Sequence, residues 1–512
     1  MPRQHWLLFG LALFCGYWLN SWAVPLFDLD EGAFSQATRE MFARGDFLMT
    51  YLDGEPRYDK PILVYWLQAA SVSLLGWNEF ALRLPSMICA SLWAWAVYRF
   101  TREISGSQDK ALFAGGSLAL SLIPGLIGHA ATADALLNLL LALSLLDLWR
   151  WFAKPSKGLL LRVYLWIGLG MLTKGPVAVA LPLMVTLPFG LLHGRWRDGL
   201  RAAFFLPGWA VALAVFLPWA VALSLRDGGE FFRHFLLDHN VSRYSDTMEG
   251  HGGHLWYYLA FLPLIVLPFS VWLLPALASV RRWKSEPLTA YLLVWFGGVF
   301  ILFSSSATQL PHYLLYGCTP LFVLFGLHHD AIGRRWLALM PAAVFLLLLI
   351  ALPSLLPLFP PPEHRLYERG LIDLIAASVT PHYYYACGAG LLIVLMAAMR
   401  PMLPAWQATL RAGIAVAIAV WGGVLPLLAN GQQWPVKLAG LKAKELALPA
   451  VAYRIHMPSF SVYREAATPH RAPVTGELAF TRVDRLEDLK KEVARPLVIE
   501  YQAGGIVLVR VE

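Results

Sequence analysis

The chain has 512 residues, of which 58% are hydrophobic and 14% charged, with a formal net charge of +8. Apolar runs of about 20 residues recur along it, which excludes a soluble globular protein and indicates a polytopic membrane protein. Its Lys and Arg fall in short clusters between those runs, as topology signals do, so the charge does not point to nucleic acid.

The first run begins at Trp6 and reaches about residue 26. No small-residue cleavage site follows a short apolar core, so a retained helix is predicted and not a signal peptide. Directly after it, FDLDEGAFSQATREM (27–41) places Asp28, Asp30 and Glu31 together at the exit. EGAFSQATREMFARG then carries Ala33, Phe34, Ala37, Met41 and Phe42 on one side and stops at Gly45, the pattern of an amphipathic helix. KPILVYWLQAASVSLLG, opened by Pro61 and stopped by Gly76, predicts a second short helix. Both are expected to lie at the membrane surface, within a first outer loop of residues 27–79.

Further apolar runs fall near 80–98, 111–128, 135–153, 160–173, 176–192, 203–224, 255–280, 288–305, 313–329, 336–359, 382–399 and 411–429, about thirteen spans in all. A break at TKGP (173–176) keeps the basic clusters Arg99/Arg102/Lys110, Arg150/Lys154/Lys157/Arg162, Arg195/Arg197/Arg201, Arg281/Arg282/Lys284 and Arg334/Arg335 on one side. That side reads as cytoplasmic, with the N-terminus. Cys15, Cys89, Cys318 and Cys387 all sit inside apolar runs and read as small buried residues, without metal-ligand spacing. After about residue 430 the composition becomes soluble-like. RLEDLKKEVARPLVIEYQAGGIVLVRVE predicts a helix and two strands turning at Gly504-Gly505. The expected organisation is a transmembrane domain, 1–430, and a small α/β domain, 431–512, on the outer side.

This topology gathers polar residues on the outer face: Asp28, Asp30, Glu31, Arg57, Asp59, Lys60, His129, Asp134, Lys174, His239, Arg243, His251, His254, Gln309, His312 and Tyr313. Each has an ordinary explanation. Asp30 and Asp134 both stand where a helix needs an N-cap, Lys60 can snorkel to the interface, and the histidines can be loop residues. Together they suit a transferase. A carboxylate near the reacting carbon takes the proton of an acceptor hydroxyl or amine, and cations such as Arg57 and Lys60 stabilise a departing phosphate. An outward-facing sugar transferase has no nucleotide-sugar at hand, so its donor must be lipid-linked.

LDEGAFSQATREMFARGDFLMTYLDGEPRYDKPILVYWL resembles the first outer loop of bacterial polyprenyl-phosphate-dependent glycosyltransferases, relatives of the aminoarabinose lipid A transferase and of protein O-mannosyltransferases. ALRLPS (81–86), TADALL (132–137), LTKGPVA (172–178), HNVSRY (239–244), HLWYYL (254–259) and LPHYLL (310–315) follow in the family's order. The resemblance implies a C-type glycosyltransferase fold: a helical polytopic membrane protein with surface helices in the first loop and a periplasmic α/β C-terminal domain. It further implies the bacterial inner membrane, an undecaprenyl-phosphate-sugar donor and inversion at the anomeric carbon. Acceptors in keeping with it are a periplasmic glycolipid such as lipid A, a polysaccharide or a protein. Asp30 matches the essential acid, with Glu31 beside it, and Asp134 a second acid. Lys60, Arg243, Tyr313 and, less closely, Lys174 match donor-phosphate contacts. His251, His254 and His312 are further candidates. No cofactor is required; a divalent metal is optional, at Asp59 and His239. Three departures surround the donor: Gly32-Ala33 after the acidic pair where a polar residue is usual, Asp59 where Glu is common, and Gln309 where Lys is common. They leave the reaction class in place and the sugar open. A transporter or flippase of lipid-linked sugars is the alternative. It predicts repeated halves and mid-membrane polar groups, whereas here the polar groups collect in outer loops. A non-enzymatic assembly factor would leave the ordered acid and base motifs unexplained.

Overall fold

The computed structural model describes residues 3–236, 254, 256–400 and 402–512. Helix α1 (Arg3–Leu13) continues through a π-helical turn, Phe14–Trp18. The first loop then folds as α2 (Asp30–Arg44), a short hairpin of β1 (Tyr51–Leu52) and β2 (Glu55–Pro56), and α3 (Leu63–Leu75). Gly45 closes α2 in the left-handed region, φ 63°, its N–H donating to Met41 and Phe42 carbonyls. Only glycine takes that conformation without a Cβ penalty.

Among the described residues, seven helices are long and apolar enough to cross a membrane. Two of them are α4 (Glu79–Ser105), with Asn78 as its N-cap, and α7 (Asp134–Ala153). A further pair, α5 (Gln108–Leu120) and α6 (Leu122–His129), passes only when taken together and is bent by 62°. The sequence reads this pair as one run. Pro124 explains the break: it has no N–H to give the Leu120 carbonyl, and its ring crowds that position. The chain instead turns at Ser121, and the Leu122 N–H donates to the Leu267 carbonyl (3.0 Å). Helices α8 (Lys157–Lys174) and α9 (Val177–Leu192) part at Gly175-Pro176, where TKGP predicts a break. The 255–280 run is likewise interrupted, into Tyr257–Ile265, a 3-10 turn and Leu273–Ala278.

One expectation needs correction. Helix α2 does not lie on a surface with one face free. Ala33, Phe34, Ala37 and Met41 are buried, but so are Ser35, Gln36, Thr38 and Glu40 on its other sides. The reason is a cover the sequence does not announce: the short helix Ser459–Arg464 of the C-terminal region packs onto α2. The polar residues face partners, not water. Thr38 Oγ1 donates to Gln68 Oε1 (2.7 Å), and Glu40 accepts from the backbone N–H of Asp53 (2.6 Å).

The C-terminal region opens with the helix Trp434–Leu446 and forms a four-stranded sheet in the order β3-β4-β6-β5. The strands are β3 (Ala450–Ala452), β4 (Leu478–Arg482), β5 (Leu497–Ala503) and β6 (Ile506–Val511). β3 and β4 are parallel and the other pairs antiparallel. The predicted hairpin is β5–β6, turning at Gly504 (φ 53°). One face of the sheet packs Leu478, Phe480, Ile506 and Leu508 on the helix Trp434–Leu446; the other packs Ala479, Val507 and Val509 on Leu489 of the helix Leu486–Val493.

Candidate active site

The acidic cluster at the start of α2 splits three ways. Glu31 is buried, and its two oxygens accept four hydrogen bonds: from Arg83 Nε (2.8 Å) and an Arg83 terminal nitrogen (2.7 Å), and from the backbone N–H groups of Phe27 and Ala131 (2.8 Å each). Arg83, on α4, spends its remaining donors on the carbonyls of Ser21, Val24 and Pro25. This satisfied ion pair ties the exit of α1, the start of α2, α4 and the loop before α7 together. Glu31, expected from the sequence to react or to orient substrate, here gives all its acceptor capacity to the protein. Arg83 was not singled out from sequence, although ALRLPS was part of the motif set. An Arg inside an apolar helix was the available signal.

Asp30, one residue earlier, is exposed at the first turn of α2, and its carboxylate has no hydrogen bond or ion pair among the described residues. The N-terminal end of a helix favours a carboxylate there. Asp28 turns the third way. It accepts from the backbone N–H of Ser459 (2.9 Å) and from the Ser459 hydroxyl, fastening the C-terminal region to the first loop. Burial pushes its carboxyl up to about 7, against the two Ser459 hydrogen bonds that pull it down and with the charges of Glu31 and Asp53 that raise it further.

Asp134, which shares a cleft with Asp30, belongs to a closed triad. Lys174 Nζ, at the end of α8, donates to Asp134 Oδ1 (2.7 Å) and to the Tyr316 hydroxyl (2.8 Å), and that hydroxyl donates to the same Asp134 oxygen (3.0 Å). The other Asp134 oxygen receives only a long contact from Thr132 Oγ1 (3.4 Å). Tyr316 was missed; three residues beyond Tyr313 in a 3-10 turn (Pro311–Gly317), it shares that residue's face. Lys174 lies 5.8 Å from the Tyr313 ring centre and 5.6 Å from that of Tyr316. His312 lies within electrostatic reach of Asp134, Lys174, Asp30 and Lys60, and burial holds its imidazole below the usual range.

Arg57 and Lys60 flank Asp59, at 2.9 and 2.5 Å from its two oxygens. Arg57 Nε also reaches the Tyr65 hydroxyl (3.2 Å), and Asp30 is close enough to Arg57 to act on its charge. The cluster carries a net positive charge beside the free acid. Asp59, the residue expected at an optional metal, is held by these two cations, and its expected partner there, His239, is not among the described residues. His239, Arg243 and His251 lie outside the described residues. His254 is exposed, its ring 6.0 Å from that of Trp256, and does not line the cleft described next.

Asp30, Asp134, Thr132 and His312 line an open cleft of about 360 Å³, whose apolar lining includes Leu126, Ile127, Trp421, Leu425 and Leu428. Chemically, the cleft offers an unencumbered carboxylate, fixed cations nearby and an apolar wall.

Residues 59–221 match the family of dolichyl-phosphate-mannose-protein mannosyltransferases. The undecaprenyl phosphate-alpha-4-amino-4-deoxy-L-arabinose arabinosyl transferase of Pseudomonas paraeruginosa is 28% identical over 82% of this chain and 74% of its own. That of Photorhabdus laumondii is 29% identical over 74% and 72%. A third, transferase 2 of Pseudomonas fluorescens, is 31% identical, but over 63% of this chain and only 56% of its own length. In structure, ArnT from Cupriavidus metallidurans bound to undecaprenyl phosphate superposes with a TM-score of 0.84 at 19% identity, covering 99% of this chain and 98% of that one. The oligosaccharyltransferase AglB from Archaeoglobus fulgidus matches with a TM-score of 0.51 at 12% identity, over 94% of this chain and 70% of its own. In sequence the chain is thus similar to undecaprenyl-phosphate-dependent arabinosyl transferases, and its fold is that of ArnT.

Proposed function

We propose that the protein is an integral-membrane glycosyltransferase that moves a sugar, with inversion, from an undecaprenyl-phosphate-linked donor to a periplasmic acceptor. The observation that carries this reading is the unengaged Asp30 carboxylate on a cleft it shares with Asp134 and His312, close enough to Arg57 to act on its charge. The donor phosphate sits against Lys60, Arg57, Lys174 and Tyr313, with Arg243 added by the family resemblance. An acceptor hydroxyl or amine attacks the anomeric carbon and gives its proton to Asp30. The bond from that carbon to the phosphate oxygen breaks, and polyprenyl phosphate leaves with the electron pair, stabilised by the cations. Asp134 orients Lys174, and Glu31 fixes the loop. The apolar wall beside Asp30 favours a glycolipid acceptor of the lipid A type over a soluble polysaccharide. Residues 1–430 form the catalytic membrane domain in the inner membrane, with about thirteen crossings once short and broken segments are counted. Residues 431–512 form the periplasmic domain beside the acceptor, and the N-terminus is cytoplasmic.

The test is turnover of a panel of synthetic polyprenyl-phosphate sugars with membrane lipid extract, followed by mass spectrometry. Consumption of one donor, lost in Asp30→Asn, supports the reading and names the sugar. Folded protein in lipid that consumes none of the donors and instead moves a lipid-linked sugar between leaflets sinks it in favour of the transporter.

A further inference from the structure

We propose that Tyr316 is a positioning residue that holds the Lys174 ammonium toward the donor phosphate; this rests on the glycosyltransferase reading. Nothing in the motif set marks Tyr316, and no carbonyl or water-facing role accounts for its hydroxyl. The hydroxyl is buried between Lys174 and Asp134 and bonds both. Its backbone is fixed from behind, because Trp295 Nε1 donates to the Tyr316 carbonyl (2.8 Å) and the Phe303 ring lies 5.8 Å from its own.

An ammonium has three N–H groups. Among the described residues Lys174 spends one on Asp134 and one on Tyr316, which leaves one for a ligand. Asp134, in contrast, keeps acceptor capacity: its second oxygen has only the 3.4 Å contact from Thr132. Without the Tyr316 hydroxyl, the ammonium can swing to bridge both oxygens of Asp134, the member of the triad that lines the cleft, because a charge-assisted pair outbids a neutral partner. Tyr316 prevents this in two ways. It accepts the N–H that would otherwise seek the second oxygen, and by donating to the first oxygen it weakens the carboxylate's hold. The 3-10 turn sets Tyr313 and Tyr316 on one face, so the same segment that carries the phosphate-facing Tyr313 also carries the residue that aims Lys174.

The experiment is a double-mutant cycle on full-length protein in lipid nanodiscs, reading binding of a short-chain polyprenyl monophosphate alongside donor turnover. Tyr316→Phe is expected to bind the monophosphate about tenfold more weakly and to turn over donor about tenfold or more slowly, with an unchanged melting temperature. Lys174→Ala and the Lys174→Ala/Tyr316→Phe double variant are expected to bind equally. Tyr316→His, which keeps a ring-borne donor and acceptor, is the second variant and is expected to recover part of the loss. Wild-type affinity in Tyr316→Phe overturns the proposal, and so does a full extra tenfold loss on top of Lys174→Ala, since Tyr316 would then act independently of the lysine. Wild-type protein that neither binds the monophosphate nor consumes any donor rejects the glycosyltransferase reading itself, a different result from either.

Discussion

Replacing Glu31 by Ala should cost the protein much of its stability, whatever it does to catalysis. The substitution removes four hydrogen bonds of 2.7–2.8 Å in a buried place. Two are from backbone N–H groups, and an orphaned buried donor costs about 1–3 kcal/mol. The other two belong to a guanidinium that stays buried without its counter-charge, and breaking such a pair costs about 3–5 kcal/mol. The terms overlap, and Arg83 keeps the Ser21, Val24 and Pro25 carbonyls, so a loss of about 4 kcal/mol is expected. That is a large fraction of the ~5–15 kcal/mol that holds a typical domain together. Glu31→Gln, which keeps one acceptor oxygen but faces Arg83 with an amide, should fall between wild type and Glu31→Ala. Equilibrium unfolding in mixed micelles measures all three. A Glu31→Ala protein that unfolds at the wild-type midpoint yet transfers no sugar would refute the structural assignment and return Glu31 to the chemistry.

Asp30→Asn should show the opposite split: turnover abolished and melting temperature unchanged, because its carboxylate bonds no other side chain among the described residues. Gly32→Ala should loosen the C-terminal region, since a Cβ there collides with Asp28 Oδ1 and comes within 2.5 Å of the Ser459 nitrogen. A loss of about 1–3 kcal/mol and faster proteolysis between residues 446 and 459 are expected. Asp28 should make stability depend on pH. Its carboxyl is at about 7 in the folded chain against 3.8 in the unfolded one, so between those values the unfolded chain has already released the proton that the folded chain still binds. Stability therefore falls as pH rises through this window, by up to about 1.4 kcal/mol per unit, and stays lower above it. Melting curves at pH 5 and pH 8 should show wild type losing ground to Asp28→Asn; a difference between the two that does not change with pH contradicts this.

Composition and period were enough for the helices whose apolar runs are uninterrupted, and glycine for where α2 and α3 stop. They were not enough where a proline sits inside a run. Pro124 turns one predicted span into two segments at 62°, and hydrophobicity counts do not register the lost N–H. β3 and β4 went unread because Ala450–Ala452 and Leu478–Arg482 are short and buried, without the alternation that marks a half-exposed strand. In the candidate site, the sequence alone shows the setting of residues that stand free or pair with a neighbour, such as Asp30 and Lys60 beside Asp59. The setting was illegible where a residue's partner lies far along the chain. Glu31 meets Arg83 across 52 residues and Asp28 meets Ser459 across 431, and no local pattern signals either.

Those distant partners explain why three acids share four positions at the head of one helix. Successive residues at a helix start point in different directions, about 100° apart in the helix proper. Asp28 and Glu31 reach away from each other, one to the C-terminal region and one to α4 and the loop before α7. Asp30 lies between two such tethers, and its backbone is fixed even though its side chain is not bonded. That is the arrangement a proton acceptor in a displacement needs: a lone pair kept free, on a main chain that does not move, since about 1 Å of misplacement can cost about a hundredfold in rate. A carboxylate held by its own hydrogen bonds would be equally well placed but would have no lone pair left to offer. On the proposed mechanism the acids on either side serve Asp30 by being spent, and loosening either tether should slow the chemistry before it changes the affinity for donor.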